Sequence, residues 1–124
     1  NHFGMNRAAQ AAALAALEAQ AHLREVLRRI DAARVRIAEI ATHNGLTPLP
    51  SAANFVAIDC GRNGSFAKVV LEGLIARDIF VRMPFAAPQN RCIRVSCGTD
   101  ADLDAFAAAL PPDLADARAH ADSR

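Results

Sequence analysis

Ile79-Phe80-Val81-Arg82-Met83-Pro84-Phe85-Ala86-Ala87-Pro88-Gln89-Asn90-Arg91-Cys92-Ile93-Arg94-Val95-Ser96-Cys97 is the stretch that decides the fold. Residues 79–83 and 91–97 are short, rich in β-branched side chains and alternating, which is the period of a strand. A loop with two prolines, residues 84–90, joins them and predicts an antiparallel pair. Alternation then sorts the side chains into two sets. Ile79, Val81 and Met83 oppose Phe80 and Arg82, while Ile93, Val95 and Cys97 oppose Cys92, Arg94 and Ser96. With the aliphatic sets turned toward helices, Arg82 and Arg94 project together from an uncovered face. Two guanidinium groups so placed can grip a carboxylate or a phosphate by paired charged hydrogen bonds. The competing reading is that both are ordinary surface residues, since arginine supplies 13 of the 14 basic side chains.

Working outward, residues 54–60 read as a further strand and Gly61-Arg62-Asn63-Gly64 as a turn. A helix over 65–77 follows, with Ser65 as its cap and Phe66, Val70, Gly73 and Leu74 along one face. Beyond the decisive stretch, Thr99 caps a last helix with Asp102 as its capping-box partner. Leu103, Phe106, Ala107 and Leu110 keep helical spacing, and Pro111-Pro112 is expected to end the helix. This gives one domain over 1–112 and a polar, weakly helical tail over 113–124. On the N-terminal side two helices are expected, 7–18 with Asn6 as cap and 21–43. The second carries an apolar stripe of Leu23, Val26, Leu27, Ile30, Ala33, Ile37 and Ile40. Asn44-Gly45 supplies a left-handed stop, and Pro48 and Pro50 prevent continuation. The fold class is therefore α+β: a two-layer sandwich with a small, mostly antiparallel sheet of about three strands, helices on one face, preceded by two helices.

Composition removes several classes of function. A chain of 124 residues with 52% hydrophobic and 22% charged side chains can bury a core without disulfides or a structural metal. The formal net charge of +1 provides no basic excess to neutralise a row of nucleic-acid phosphates. Cys60, Cys92 and Cys97 are odd in number and lack zinc-ligand spacing, which reads as free thiols in a reducing cytoplasm. His2, His22, His43 and His120 are scattered and pair with no carboxylate at ligand spacing, so no metal is expected. Gly61-Arg62-Asn63-Gly64 is too short and too polar for a phosphate-cradling loop. The apolar run over 8–17 is too short to cross a membrane. Phe3, Met5, Leu14, Leu17 and Phe85 exceed what one small core needs, which predicts an orphaned apolar surface.

Four motifs together resemble a known family. Ser51-Ala52-Ala53-Asn54-Phe55-Val56 is similar to the entry into the first small-domain strand of fold-type I aminotransferases, nearest the histidinol-phosphate aminotransferase branch. Ile79-Phe80-Val81-Arg82 resembles that branch's glycine-isoleucine-valine-arginine strand, with Asp78 where glycine is usual. Ile93-Arg94-Val95-Ser96-Cys97-Gly98-Thr99 resembles its arginine-containing strand ending in Gly-Thr. Phe3-Gly4-Met5-Asn6-Arg7-Ala8-Ala9-Gln10-Ala11-Ala12 resembles the opening of the long helices after the cofactor domain. The likeness keeps the family's order from residue 1 to about 110.

The resemblance implies a pyridoxal-phosphate (PLP) enzyme and assigns three substrate-binding residues. Arg94 would hold the substrate's α-carboxylate or its equivalent. Arg82 would lie near the distal end, close to a phosphate in the histidinol-phosphate branch. Asn54 would lie beside the cleft, with a cap or turn as its structural alternative. The family also carries a PLP lysine in a serine-lysine-glycine stretch, but here Lys68, the sole lysine, lies mid-helix in Phe66-Ala67-Lys68-Val69. The expectation is a piece of a longer cytoplasmic enzyme, inactive alone, with no catalytic or cofactor-binding residue of its own. Its partners would be an amino-acid or amino-phosphate substrate, its own large PLP domain and a second subunit in a homodimer, with no nucleic acid or membrane. Two alternatives stay open: a free-standing, non-catalytic α+β ligand-binding or regulatory domain, and an interaction domain assembling through its alanine-rich helix.

Overall fold

The computed structural model describes residues 2–84 and 88–123. Phe85 and the side chains of Phe3 and Met5 lie outside the described residues, and with them that part of the expected apolar surface. The chain forms two compact units, Asn1–Asp31 and Ala32–Arg124. One helix, α1 (His2–His43), includes the boundary.

The first unit is helical at every described position. Two helices were expected here, but nothing in Ala19-Gln20 interrupts a helix, both residues being good helix formers. Asn6 accordingly lies inside α1 and is not its cap. Leu14, Leu17, Leu23 and Leu27 are exposed along it. Glu25 accepts hydrogen bonds from Arg28 (2.6 and 3.0 Å) and Arg29 (3.0 Å), and those bonds hold its carboxyl down to about 2.

The second unit begins within α1, where Ala33, Ile37 and Ala41 are buried. The helix stops as its sequence requires: Gly45 takes φ +75, and the Leu46 N–H returns to the Ala41 carbonyl at 2.9 Å. After it come β1 (Thr47–Pro48), β2 (Phe55–Asp59), α2 (Gly64–Ala76), a 3-10 turn (Gln89–Arg91), β3 (Cys92–Ser96) and α3 (Asp100–Asp122). The sheet has the order β1-β2-β3 and both pairings are antiparallel. Its third strand is thus Thr47–Pro48 and not residues 79–83. The latter stretch meets β3 only through an antiparallel bridge, Arg82 opposite Arg94, with backbone hydrogen bonds of 3.1 and 2.6 Å. Asp78 takes φ +63 at the turn feeding this segment, a conformation glycine enters without strain.

One face of the sheet carries the core. Val56 and Ile58 on β2 pair in register with Val95 and Ile93 on β3, and all four are buried. Against them pack Phe66, Val70 and Leu74 of α2 and Leu103, Phe106, Leu110 and Leu114 of α3. Asn63, not Ser65, caps α2: its side-chain oxygen accepts from the Phe66 N–H at 3.0 Å. Thr99 and Asp102 form the expected reciprocal capping box on α3. Pro111 and Pro112 do not end that helix. Both are exposed, so the carbonyls that lose a donor lie toward water, while Asp113, Leu114 and Ala117 continue the buried stripe. The stretch expected to be a polar, weakly helical tail is instead the packed second half of α3.

Candidate functional site

The opposite face of the sheet carries no helix of the second unit's core, and alternation places its occupants. Ala57 of β2 lies across from Arg94 of β3, and Arg94 lies across from Arg82. Along the neighbouring row Phe55 pairs with Ser96. A shallow hollow of about 540 Å³ opens here, lined by Asn54, Phe55, Phe80, Val81, Arg82, Arg94 and Ser96. All three residues singled out in the sequence, Arg94, Arg82 and Asn54, line this one hollow.

Arg82 and Arg94 are both exposed, and their main chains are bonded to each other. The backbone bridge therefore fixes the two points from which the positive side chains project. Ser51 shapes the approach to β2, its hydroxyl donating to the Phe55 carbonyl (2.6 Å) and accepting from the Ala53 N–H (3.2 Å). The Asn54 carbonyl accepts from the Cys97 N–H at 2.8 Å, and its side chain caps neither α2 nor α3.

Sequence reasoning put Phe80 and Ser96 on the arginine face but passed over Phe55. The Arg94 Cζ lies over the Phe55 ring, 3.8 Å from its centroid. An antiparallel register between 54–60 and 91–97, which the sequence alone does not supply, would have revealed the contact. Phe80 is 81% exposed beside the same arginines and supplies an apolar wall.

Other chemistry is thin. Burial pushes the Cys60 thiol up to about 12 and raises those of Cys92 and Cys97, so none of the three is poised as a nucleophile. Among the described residues no cluster of three or more His, Cys, Asp or Glu could hold a metal ion, and no helix is long and apolar enough to cross a membrane. Lys68 is exposed on α2, 3.9 Å from Glu72, and is not among the residues lining the hollow. A Schiff-base site for PLP needs a lysine facing the substrate pocket, and the described residues do not fit one.

Comparison with known proteins matches the chain to a family. Residues 1–110 match the family model for aminotransferase class I and II. Histidinol-phosphate aminotransferase 1 of Mesorhizobium japonicum is 35% identical over 108 residues, which cover 87% of this chain and 29% of that protein. Histidinol-phosphate aminotransferase of Geotalea daltonii is 37% identical over 112 residues, covering 89% and 31%. In three dimensions the chain is similar to histidinol-phosphate aminotransferase from Sinorhizobium meliloti, crystallised in complex with pyridoxal-5'-phosphate. The TM-score is 0.77 and the identity 49%, over 78% of this chain and 27% of that one. The chain thus spans under a third of the length of the relatives it matches. With its small antiparallel sheet, helices on one face and family motifs in order, the chain belongs to the aminotransferase class I and II family.

Proposed function

We propose that this chain is the substrate-clamping part of a PLP-dependent aminotransferase of the histidinol-phosphate aminotransferase type. Arg94 grips the carboxylate, or its equivalent, of an amino acid or amino alcohol phosphate. Arg82 binds toward the substrate's distal phosphate or acid, and Asn54 borders the cleft. PLP, held by a larger domain outside this chain, supplies the chemistry of amino transfer to a 2-oxo acid. The intact enzyme works in the cytoplasm as a homodimer.

One observation carries the reading. Within the second unit every described arginine side chain except these two has an acceptor among the described residues. Arg36 pairs with Asp104, Arg62 with Asp122, Arg77 with Asp113 and Asp116, and Arg91 with Asp59. Arg34 donates to the Ala53 carbonyl and Arg118 to the Asn44 carbonyl. Among the described residues Arg82 and Arg94 meet no carboxylate, although they are bonded neighbours whose charges repel. An anion from outside completes the pair, and in a closed cleft its charged hydrogen bonds strengthen.

Steady-state kinetics of the intact enzyme test this. Arg94→Ala lowers kcat/KM by about 30-fold to several thousand-fold, the consequence of removing one partner from a desolvated charged pair. Arg94→Lys loses somewhat less, because it restores the charge without the fork. Arg82→Ala harms a phosphorylated or acidic substrate far more than a neutral one. A kcat/KM within threefold of wild type for Arg94→Ala would make Arg94 a surface residue and overturn the assignment.

A further inference from the structure

We infer that Phe55 is a positioning residue for Arg94: its ring holds the guanidinium in place while leaving every N–H of the fork free for the substrate's anion. The inference rests on the reading of Arg94 as the substrate clamp.

The geometry is specific. Directly opposite Arg94 in the ladder stands Ala57, too small to reach a guanidinium, whereas Phe55 stands opposite Ser96, one row away on the same face. The Arg94 side chain leans diagonally along the sheet until its Cζ lies 3.8 Å from the Phe55 centroid. Phe55 is itself half-buried and clamped through its main chain, by the ladder on one side and the Ser51 hydroxyl on the other.

A guanidinium has two faces and an edge, and all five donors lie in the edge. A carboxylate partner such as Asp113 offers Arg77 occupies donors along that edge. A ring occupies a face only. Stacking is therefore the way to order a long, flexible side chain without consuming what it will offer a ligand. The other described ring contact works differently: Arg62 lies 4.8 Å from the Phe66 centroid and also donates to Asp122 at 3.4 Å. Arg82 has no ring contact among the described residues, so among them the ring that aims an arginine of the hollow is Phe55, and it aims Arg94.

The test uses the intact enzyme, with Arg94→Ala assayed beside the Phe55 variants. Phe55→Leu is expected to raise KM for an anionic amino donor by about 3- to 30-fold, the range of a cation–π contact from exposed to desolvated. The same variant leaves kcat within twofold, because a misaimed fork weakens binding of substrate and transition state alike. Phe55→Tyr, which keeps the ring, returns KM to within twofold of wild type. Should the Leu variant fail to fold, Phe55→Met removes the ring at similar volume and carries the same expectation. An Arg94→Ala enzyme with unchanged kcat/KM sinks the clamp reading and this inference with it. A costly Arg94→Ala beside an unchanged KM in Phe55→Leu or Phe55→Met overturns the positioning role alone. So does a Phe55→Tyr enzyme as impaired as Phe55→Leu, or a fall in kcat at constant KM.

Discussion

Arg77 and Arg94 belong to the two sides of one small sheet, and they are handled in opposite ways. On the helix side Arg77 donates to the Gly73 carbonyl (3.2 Å), to Asp113 (3.3 Å) and to Asp116 (2.8 Å), tying the end of α2 to α3. Asp113 is only 2% exposed, and its second carboxylate oxygen has no partner among the described residues. On the open side Arg94 and Arg82 share a backbone bridge and have no carboxylate among the described residues. The contrast separates an ion pair that fastens a fold from a pair of cations that meet no carboxylate among the described residues. The fastening is imperfect, because burial costs the carboxylate more than its partners return.

The pH dependence of stability probes the helix side most strongly. Burial raises the Asp113 carboxyl from 3.8 to about 6, with Arg77 opposing the rise and Asp116 adding to it. The folded state therefore holds this proton more tightly than the unfolded chain does. Its stabilising contribution is complete below about pH 4 and is lost as pH rises through about 6, amounting to about 3 kcal/mol. Denaturation of the wild type and Asp113→Asn across pH 4 to 7 isolates the effect: the wild type loses that much relative to the variant. Parallel curves would mean that the seam tolerates the charge.

Gly73→Ala comes next in size. A Cβ on Gly73 would overlap the Asp113 carboxylate, which has little room to move. Displacing one partner of the buried pair outweighs the helix-propensity gain, for a net loss of about 2 kcal/mol by chemical denaturation. A stability gain would show Asp113 escaping to solvent and would remove the contrast with the open face. The smallest effect sits between the two regions, at Asp78. Replacing this left-handed residue by glycine in Asp78→Gly stabilises the chain by about 0.5–1 kcal/mol. Anion affinity at Arg94 stays unchanged, and a shift in that affinity would mean that the turn and the hollow are coupled.

The open face was legible from the sequence because period-2 alternation is a strict geometric rule. It put Arg82, Arg94, Phe80 and Ser96 on one side of two short strands without any knowledge of their partners. The capping box at Thr99 and the stop at Gly45 were equally local, and both stand in the structure. What escaped was set by packing. Thr47–Pro48 has no alternation to show and pairs only because β2 offers an edge. The bridge at Arg82 follows from β3, not from the β propensity of residues 79–83. Asp113 looked like the first residue of a polar tail, because its partner Arg77 lies 36 positions earlier. The glycine on the apolar face of α2 was the available hint that something approached there. Site and seam thus differ in legibility for one reason: the site repeats a local period, while the seam joins distant residues.

Pro111 and Pro112 also change how α3 comes apart. Two successive positions without an amide hydrogen remove two adjacent rungs from the ladder, so the helix-coil coupling along α3 is weakest at its middle. Cooperative opening can stop there from either side. The half that starts with Asp100 is secured by its capping box and by Leu103, Phe106 and Leu110. The half that starts with Asp113 depends on Leu114, Ala117 and the tie to Arg77. One continuous helix thereby behaves as two neighbouring cooperative segments, and the second is held by the titrating carboxylate.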